Sequence, residues 1–83
     1  MLNLSELEQF VTFAEQGPLS GAAQTLHISQ PTLTRTMKHV EAAFGVPLFR
    51  RSKNKIELNE TGLQAVQQAK NLLSAAAGAV QQV

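Results

Sequence analysis

The chain has 83 residues, 43% of them hydrophobic, and a formal net charge of +1, which fits one small domain. It contains no Cys, no Asp and only two His, which argues against disulfides, thiol catalysis and the common metal sites. No apolar run approaches the ~20 residues of a membrane span and no signal peptide is evident, so we expect a cytoplasmic protein.

The first predicted helix runs from about Leu4 to Gln16. Its apolar residues recur at spacings of three and four, as expected for a helix with one face in a core: Leu4, Leu7, Phe10, Val11 and Ala14. Asn3 suits the N-cap, because Glu6 then takes the third helical position and completes a capping box. Ser5 with Glu8 offers an alternative cap.

The second predicted helix is short and follows Gly17-Pro18, which ends the first helix. We expect Ser20 to be its N-cap. Its small apolar face consists of Ala22, Ala23 and Leu26, and the two consecutive alanines allow a neighbouring helix to approach closely.

A tight turn leads into a longer third helix over residues 30–44. Ser29 suits its N-cap, and Pro31 falls within the first turn, where a missing amide hydrogen costs nothing. Gly45 suits the left-handed residue that follows a last turn. The helix has one narrow apolar stripe that must face a core: Leu33, Met37, Val40 and Phe44.

The opposite face of the third helix offers hydroxyls and positive charges but no acid: Pro31, Thr34, Arg35, Lys38 and Ala42. A short helix, a tight turn and a helix of this kind are typical of a helix-turn-helix. Its second helix enters the DNA major groove and reaches bases and phosphates. An ordinary helical hairpin in a small bundle is the alternative interpretation of the same residues.

Charge is segregated along the chain. Residues 1–28 contain three Glu and no Lys or Arg. Residues 29–55 contain six basic residues against Glu41 alone, a balance of +5: Arg35, Lys38, Arg50, Arg51, Lys53 and Lys55. Such segregation indicates a site for a polyanion, whereas a merely solvated surface would intersperse the two signs.

The two histidines lie beside the helix-turn-helix. We interpret His27, at the end of the second helix, as a packed residue that closes the turn. His39 lies on the flank of the third helix, where we favour simple solvation over contact with a phosphate.

Two short β-prone runs follow Pro47-Leu48-Phe49. Arg50-Arg51 and Ile56-Glu57-Leu58 flank a polar, basic turn, which predicts a hairpin, the wing of a winged helix. Alternation of Ile56, Glu57 and Leu58 lets one face of the hairpin cover the core. Its basic residues can reach phosphates or the minor groove: Arg50, Arg51, Lys53 and Lys55.

The last predicted helix starts after the cap Asn59 and runs from Glu60 to Val83, roughly 36 Å if fully helical. It carries two apolar seams. One consists of Leu63, Val66, Leu73, Ala77 and Val80, and the other of Ala65, Ala69, Leu72, Ala76, Ala79 and Val83. A lone helix of this kind is unstable in water, so we expect it to pair with a second copy.

The stretch from Gly17 to Arg51 resembles the N-terminal domain of LysR-type transcriptional regulators. The resemblance centres on Leu26-His27-Ile28-Ser29-Gln30-Pro31 followed by Arg35, and it also includes Ala22-Ala23, Leu33, Glu41, Gly45, Leu48-Phe49 and Arg51. It extends from about residue 2 to the end, because Glu60-Thr61-Gly62 resembles the family's motif before its linker helix.

The resemblance implies a linker helix that pairs with its counterpart in a second subunit, within a regulator that forms a higher homo-oligomer. It also implies that a small-molecule inducer binds a separate effector domain, which we expect to follow this chain. The family usually has Arg at the position of Asn54, so a minor-groove contact would fall to Lys53 or Lys55, which lack the planar fork of arginine.

The sequence thus predicts a mainly α fold, with a winged helix-turn-helix of three helices and a two-stranded β wing over residues 1–58. A linker helix follows over residues 59–83. We expect a dimer that binds double-stranded DNA and regulates transcription, without a cofactor or metal. The expected DNA-binding residues are Ser29, Gln30, Pro31, Thr32, Thr34, Arg35, Lys38, Arg50, Arg51, Lys53 and Lys55. The expected dimerisation residues are Leu63, Val66, Ala69, Leu72, Leu73, Ala76 and Val80.

Two other functions compete with DNA binding. A helical dimer could use its basic hairpin to bind an acidic protein, but Arg35 and Lys38, aligned with the wing, argue against this. An enzyme is the third hypothesis. Without Cys, Asp or a paired His and Glu, no nucleophile with a base and no pair of acids is evident.

Overall fold

The computed structural model describes the backbone of residues 2–81 and the side-chain surroundings of residues 2–76. Its elements in chain order are α1 (Leu4–Gln16), α2 (Leu19–Leu26), α3 (Gln30–Phe44), β1 (Phe49–Ser52), β2 (Lys55–Leu58) and α4 (Glu60–Gln81). The predicted winged helix-turn-helix followed by a long helix is confirmed. The side chains of Ala77, Ala79, Val80 and Val83, assigned to the two seams, lie outside the described residues.

Helix α1 begins with the predicted capping box. The Asn3 Oδ1 atom accepts the Glu6 amide hydrogen at 2.8 Å, and Glu6 Oε1 accepts the Asn3 amide hydrogen at 3.1 Å. The alternative cap at Ser5 is not used, since Ser5 lies inside the helix. The core face was predicted less well, because Leu4 is 51% exposed and Phe13 is buried. Leu4 is the first helical residue and lies at the edge of the core.

The start of α2 differs from the prediction. Helix α2 begins at Leu19, and its N-cap is Pro18, which makes no side-chain capping bond. Ser20 therefore lies within the first turn and is not the cap. The extended backbone of Pro18 places its carbonyl oxygen 3.1 Å from the Ala22 amide nitrogen, which starts the helix two residues earlier than expected.

The core forms between α1, α2, α3 and α4, and the wing packs against it. Ala22 and Ala23 of α2 are buried, as predicted for a close helix–helix contact. The α3 stripe is confirmed, because Leu33, Met37 and Val40 have no exposed surface and Phe44 is half-buried. Aromatic contacts connect the wing to α1: the ring of Phe49 lies 5.9 Å from those of both Phe10 and Phe13.

Helix α4 starts at the predicted cap and packs on α1. The Asn59 Oδ1 atom accepts the Gly62 amide hydrogen at 2.7 Å, and the Asn59 amide group donates to the Pro47 carbonyl oxygen at 3.0 Å. Lys70 forms an ion pair with Glu15 of α1 at 2.9 Å. Over the residues that the structure describes, neither α4 nor any other helix has the length and apolarity of a membrane span.

The two seams predicted for α4 do not form two separate faces. Ala65 and Ala69 of one seam and Val66 of the other are buried in the core. The side of α4 that lies between the two seams packs against α1, because its alanines allow the two helices to approach closely. Leu63 is 61% exposed and Leu72 is 54% exposed, on flanks roughly 180° apart at 100° per residue. Leu73 and Ala76 are half-buried.

Candidate nucleic-acid interface

The N-terminus of α3 is held by the predicted Ser29 cap. Ser29 Oγ accepts the Thr32 amide hydrogen at 3.2 Å and donates its own hydrogen to Thr32 Oγ1 at 2.8 Å. Gln30 and Pro31 form the first residues of the helix, and all four side chains are exposed. Gly45 ends the helix with a φ of 77°, the left-handed conformation that its position predicted.

The turn between α2 and α3 is closed by the backbone of His27. This residue has a φ of 57°, and its amide hydrogen is donated to the Gln24 carbonyl oxygen at 3.1 Å. Its side chain is exposed, so the interpretation of His27 as a packed histidine is wrong. The left-handed backbone, and not side-chain burial, closes the turn.

The exposed face of α3 forms one shallow groove. It is lined by Gln30, Pro31, Thr34, Arg35 and Lys38, all of them expected DNA-binding residues. Arg35 and Lys38 are exposed and Thr34 is half-buried. Among the ion pairs formed by residues 2–76, none involves Arg35 or Lys38. The groove therefore combines hydroxyl and amide groups with two unneutralised cations.

The wing is an antiparallel hairpin with a two-residue turn. The register pairs Phe49 with Leu58, Arg50 with Glu57, Arg51 with Ile56, and Ser52 with Lys55. Lys53 and Asn54 form the turn with φ values of 48° and 66°. Positive φ at both positions is the requirement of a type I′ turn, and it places these two exposed side chains at the tip.

One basic residue of the wing faces α3. Because side chains alternate along a strand, Arg51 shares a face with Ile56, its cross-strand partner. Both residues line a cleft together with Thr34 and Lys38 of α3. The Arg51 guanidinium thus extends the exposed groove of α3 onto the wing.

Arg50 and Lys55 lie on the other face of the wing. Arg50 Nε donates to Glu57 Oε2 at 3.3 Å, and both side chains are partly exposed. An exposed pair of this kind contributes little stability, but it neutralises Arg50. The sequence analysis gave the four basic wing residues the same expected role. The strand register instead places them on two faces and at the tip of the hairpin.

Glu41 connects α3 to the wing. Its Oε2 atom accepts the amide hydrogens of Leu48 at 2.7 Å and Phe49 at 3.2 Å. Glu41 also lines the same cleft as Arg51. The sequence analysis did not identify this role, because the two amides lie seven and eight residues away, at the start of β1 and just before it.

A second carboxylate reaches α3 from α1. Glu6 Oε2 is in hydrogen-bonding contact with His39 Nδ1 across 33 positions of sequence. The bond from His39, with a smaller contribution from the Asn3 amide, holds the pKa of the Glu6 carboxyl below its ordinary value of 4.5. Two sequence interpretations are therefore wrong. His39 is not simply solvated, and the chain does contain a paired His and Glu.

Comparison with protein families agrees with this geometry. Residues 4–63 match the model for the bacterial regulatory helix-turn-helix proteins of the lysR family. The chain belongs to the LysR family. It is 39% identical over 75 residues to the HTH-type transcriptional regulator TcbR of Pseudomonas sp. (strain P51), and 38% identical over 72 residues to ClcR of Pseudomonas putida. These alignments cover 90% and 87% of this chain but 26% and 24% of the relatives, so the chain spans about a quarter of their length.

Solved structures of LysR-family domains have the same fold. A crystal structure of the CbnR DNA-binding domain in complex with DNA matches with a TM-score of 0.89 and 36% identity over 98% of this chain and 93% of that one. The BenM DNA-binding domain in complex with catB site 1 DNA matches with a TM-score of 0.86 and 30% identity, over 96% of this chain and 86% of that one. The predicted family and fold are confirmed, and the chain is a LysR-type helix-turn-helix DNA-binding domain.

Proposed function

We propose that this domain binds double-stranded DNA sequence-specifically, with α3 in the major groove and the wing on the backbone or in the minor groove. The observation that carries the proposal is the continuous surface formed by α3 and β1. Thr34 and Lys38 border a cleft with Arg51, and the groove along α3 continues to Gln30 and Arg35. Amide and hydroxyl groups suit base edges, whereas the cations suit phosphates.

Distinct roles follow from position on this surface. Gln30 and Thr34 read bases, because they lie in the N-terminal half of α3, the part that helix-turn-helix domains insert most deeply. Lys38 and Arg51 hold phosphates, and Arg35 contacts either a guanine or a phosphate. The N-terminal end of α3 is also bordered by Ser29, Pro31 and Thr32. Two further cations reach the DNA from the wing, Lys53 and Lys55.

We infer that two chains pair through residues 59–83. Because Val66 and Ala69 are buried within the chain, the second copy contacts the flank of α4 that bears Leu72. Ala76 lies one turn further on, and small residues allow two helices to approach closely. Leu63 on the opposite flank is followed one turn later by Gln67, which interrupts any apolar seam there. A two-fold dimer recognises a roughly palindromic site.

We also propose a place for this domain in a larger protein. Because the chain spans about a quarter of TcbR and ClcR, which are transcriptional regulators, it would serve as the DNA-binding part of such a regulator. Inducer binding and higher oligomerisation would then belong to other segments. The bacterial family implies action on cytoplasmic DNA, and no catalytic role is assigned to this domain.

The direct test is binding to a fluorescently labelled, mixed-sequence duplex at several salt concentrations. Each neutralised phosphate contributes about −0.9 to the slope of log K against log salt, so a dimer should show a slope steeper than about −4. Selection of bound sequences from random duplex DNA should then yield a site with dyad symmetry. Salt-independent binding, or equal affinity for an acidic polypeptide, would contradict the proposal.

A further inference from the structure

On the flank of α3 beside the exposed groove, one side chain forms a hydrogen bond with a residue of another helix. His39 follows Arg35 by one helical turn, so it lies at the edge of the same face. The exposed residues Ala42 and Ala43 border an open hollow with His39 and Leu2. Since these alanines have short side chains, a sugar–phosphate strand can approach the backbone of α3 at this point.

The orientation of the His39 ring is set by Glu6. Both oxygens of that carboxylate are engaged, since Oε1 accepts the Asn3 amide hydrogen at 3.1 Å and Oε2 contacts His39 Nδ1. The carboxylate is therefore a fixed acceptor, and Nδ1 carries the hydrogen between them. Nε2 is the ring nitrogen left for other partners, and the side chain of His39 is 46% exposed.

The protonation state of the ring decides what Nε2 can bind. When the imidazole is neutral with its hydrogen on Nδ1, Nε2 has only a lone pair, which a phosphate oxygen repels. When the imidazole is protonated, Nε2 also carries a hydrogen and can donate it to a phosphate. Contact with DNA at this position thus requires the charged form.

We propose that His39 contacts a DNA backbone phosphate only when its imidazole is protonated, and that Glu6 is the residue that positions it for this contact. The inference rests on the proposed function, since it adds a proton-dependent contact to the same DNA-binding surface. A contact of this kind makes DNA affinity depend on pH.

The charges around His39 favour this arrangement. Glu6 faces it from α1, and Arg35 and Lys38 lie near it on α3. The lowered pKa of Glu6 keeps its carboxylate ionised throughout the range in which histidines titrate. Glu6 thereby opposes the repulsion that Arg35 and Lys38 exert on an imidazolium.

A DNA complex that contains the imidazolium holds more protons than the free components. Affinity should therefore rise as the pH falls from about 8 to about 5.5. The slope of log K against log salt should also become steeper, by about 0.9 per subunit, at the acidic end of that range.

The experiment measures binding of the 83-residue chain to a labelled, mixed-sequence duplex across that pH range, with the fold monitored by circular dichroism. His39→Gln should abolish the pH-dependent change of the salt slope. His39→Lys should restore the steeper slope at every pH, because its charge is permanent. Glu6→Gln should weaken the pH-dependent rise in affinity, because no carboxylate then holds the His39 ring with Nε2 free for the phosphate. His27→Asn is the matched control, since it removes the other histidine and asparagine tolerates its left-handed backbone.

The outcomes separate this inference from the proposed function. If His39→Gln binds DNA with the same pH dependence as the wild type, or if His27→Asn removes it, the role of His39 is disproved while DNA binding stands. If Glu6→Gln leaves the pH dependence unchanged, the positioning role of Glu6 is disproved. If the wild type binds no duplex at any pH, the proposed function itself fails.

Discussion

Gly62 of α4 lies directly against the carbonyl oxygen of Leu48, so close that a methyl group on Gly62 could not fit beside it. The same methyl group would lie 2.9 Å from Leu58 Cδ2. The Leu48 oxygen also accepts the Asn59 amide hydrogen at 2.9 Å. This contact sets the distance between the start of α4 and the segment that precedes the wing.

Gly62→Ala should therefore destabilise the domain, even though alanine favours helices. The clash with backbone outweighs the gain of about 1 kcal/mol in helix propensity, and we expect a net loss of about 2 kcal/mol. Urea unfolding measures this loss. Thr61→Ala is the matched control, because Thr61 is exposed in the same turn of α4. Equal midpoints for the two variants would contradict the close contact.

Glu41→Ala should destabilise the connection between α3 and the wing. The change removes the acceptor for the amide hydrogens of Leu48 and Phe49, at a cost of about 1–3 kcal/mol. Glu41→Gln should cost less, because one amide oxygen remains as an acceptor. Glu8→Ala, at an exposed position of α1, is the control in the same unfolding measurement. A Glu41→Ala variant as stable as this control would show that the two bonds contribute nothing.

Arg51 and Arg50 should contribute unequally to DNA binding although they are adjacent in sequence. Arg51 borders the cleft with Lys38, whereas Arg50 is paired with Glu57 on the other face of the wing. Arg51→Ala should reduce the magnitude of the salt slope by about 0.9 per subunit, and Arg50→Ala should reduce it by clearly less. Identical slopes for the two variants would show that the register of the wing does not determine its DNA contacts.

Thr34 and Lys38 should differ in what their loss does to sequence preference. Thr34→Ala should change the preferred base at one position by about 1–3 kcal/mol, and Gln30→Ala should do so at another. Lys38→Ala should weaken binding to all sequences alike, because phosphates carry no sequence information. Selection from random duplex DNA compares the variants. Profiles identical to the wild type for Thr34→Ala and Gln30→Ala would remove both residues from base reading.

Leu72→Glu should dissociate the dimer while leaving the fold intact, because Leu72 is 54% exposed in the single chain. Burial of one leucine contributes about 1.5–3 kcal/mol, and a buried charge adds a further cost. Leu63→Glu is the matched control on the opposite flank, where Leu63 is 61% exposed. Sedimentation at tens of micromolar distinguishes them. Dissociation by Leu63→Glu alone would assign the interface to the other flank, and a monomeric wild type would exclude the dimer.

Local chemistry in the sequence was enough to predict most element boundaries. The capping box of Asn3 and Glu6, the Ser29 cap and the left-handed Gly45 each depend on groups within about four residues. The apolar stripe of α3 was equally predictable, because helical periodicity alone determines which side chains share a face. The exposed groove opposite that stripe follows directly, and it is the main part of the proposed DNA-binding surface.

Tertiary packing determined the features that join distant segments. The contact of Glu6 with His39 arises only when α1 lies against α3, and no spacing in the sequence indicates it. The separation of Arg50 from Arg51 depends on strand register, and the burial of Ala65 and Val66 depends on which arc of α4 meets α1. The periodicity of apolar residues in the sequence indicates which side chains share one face of an element. The packing of other elements determines whether that face is buried or exposed.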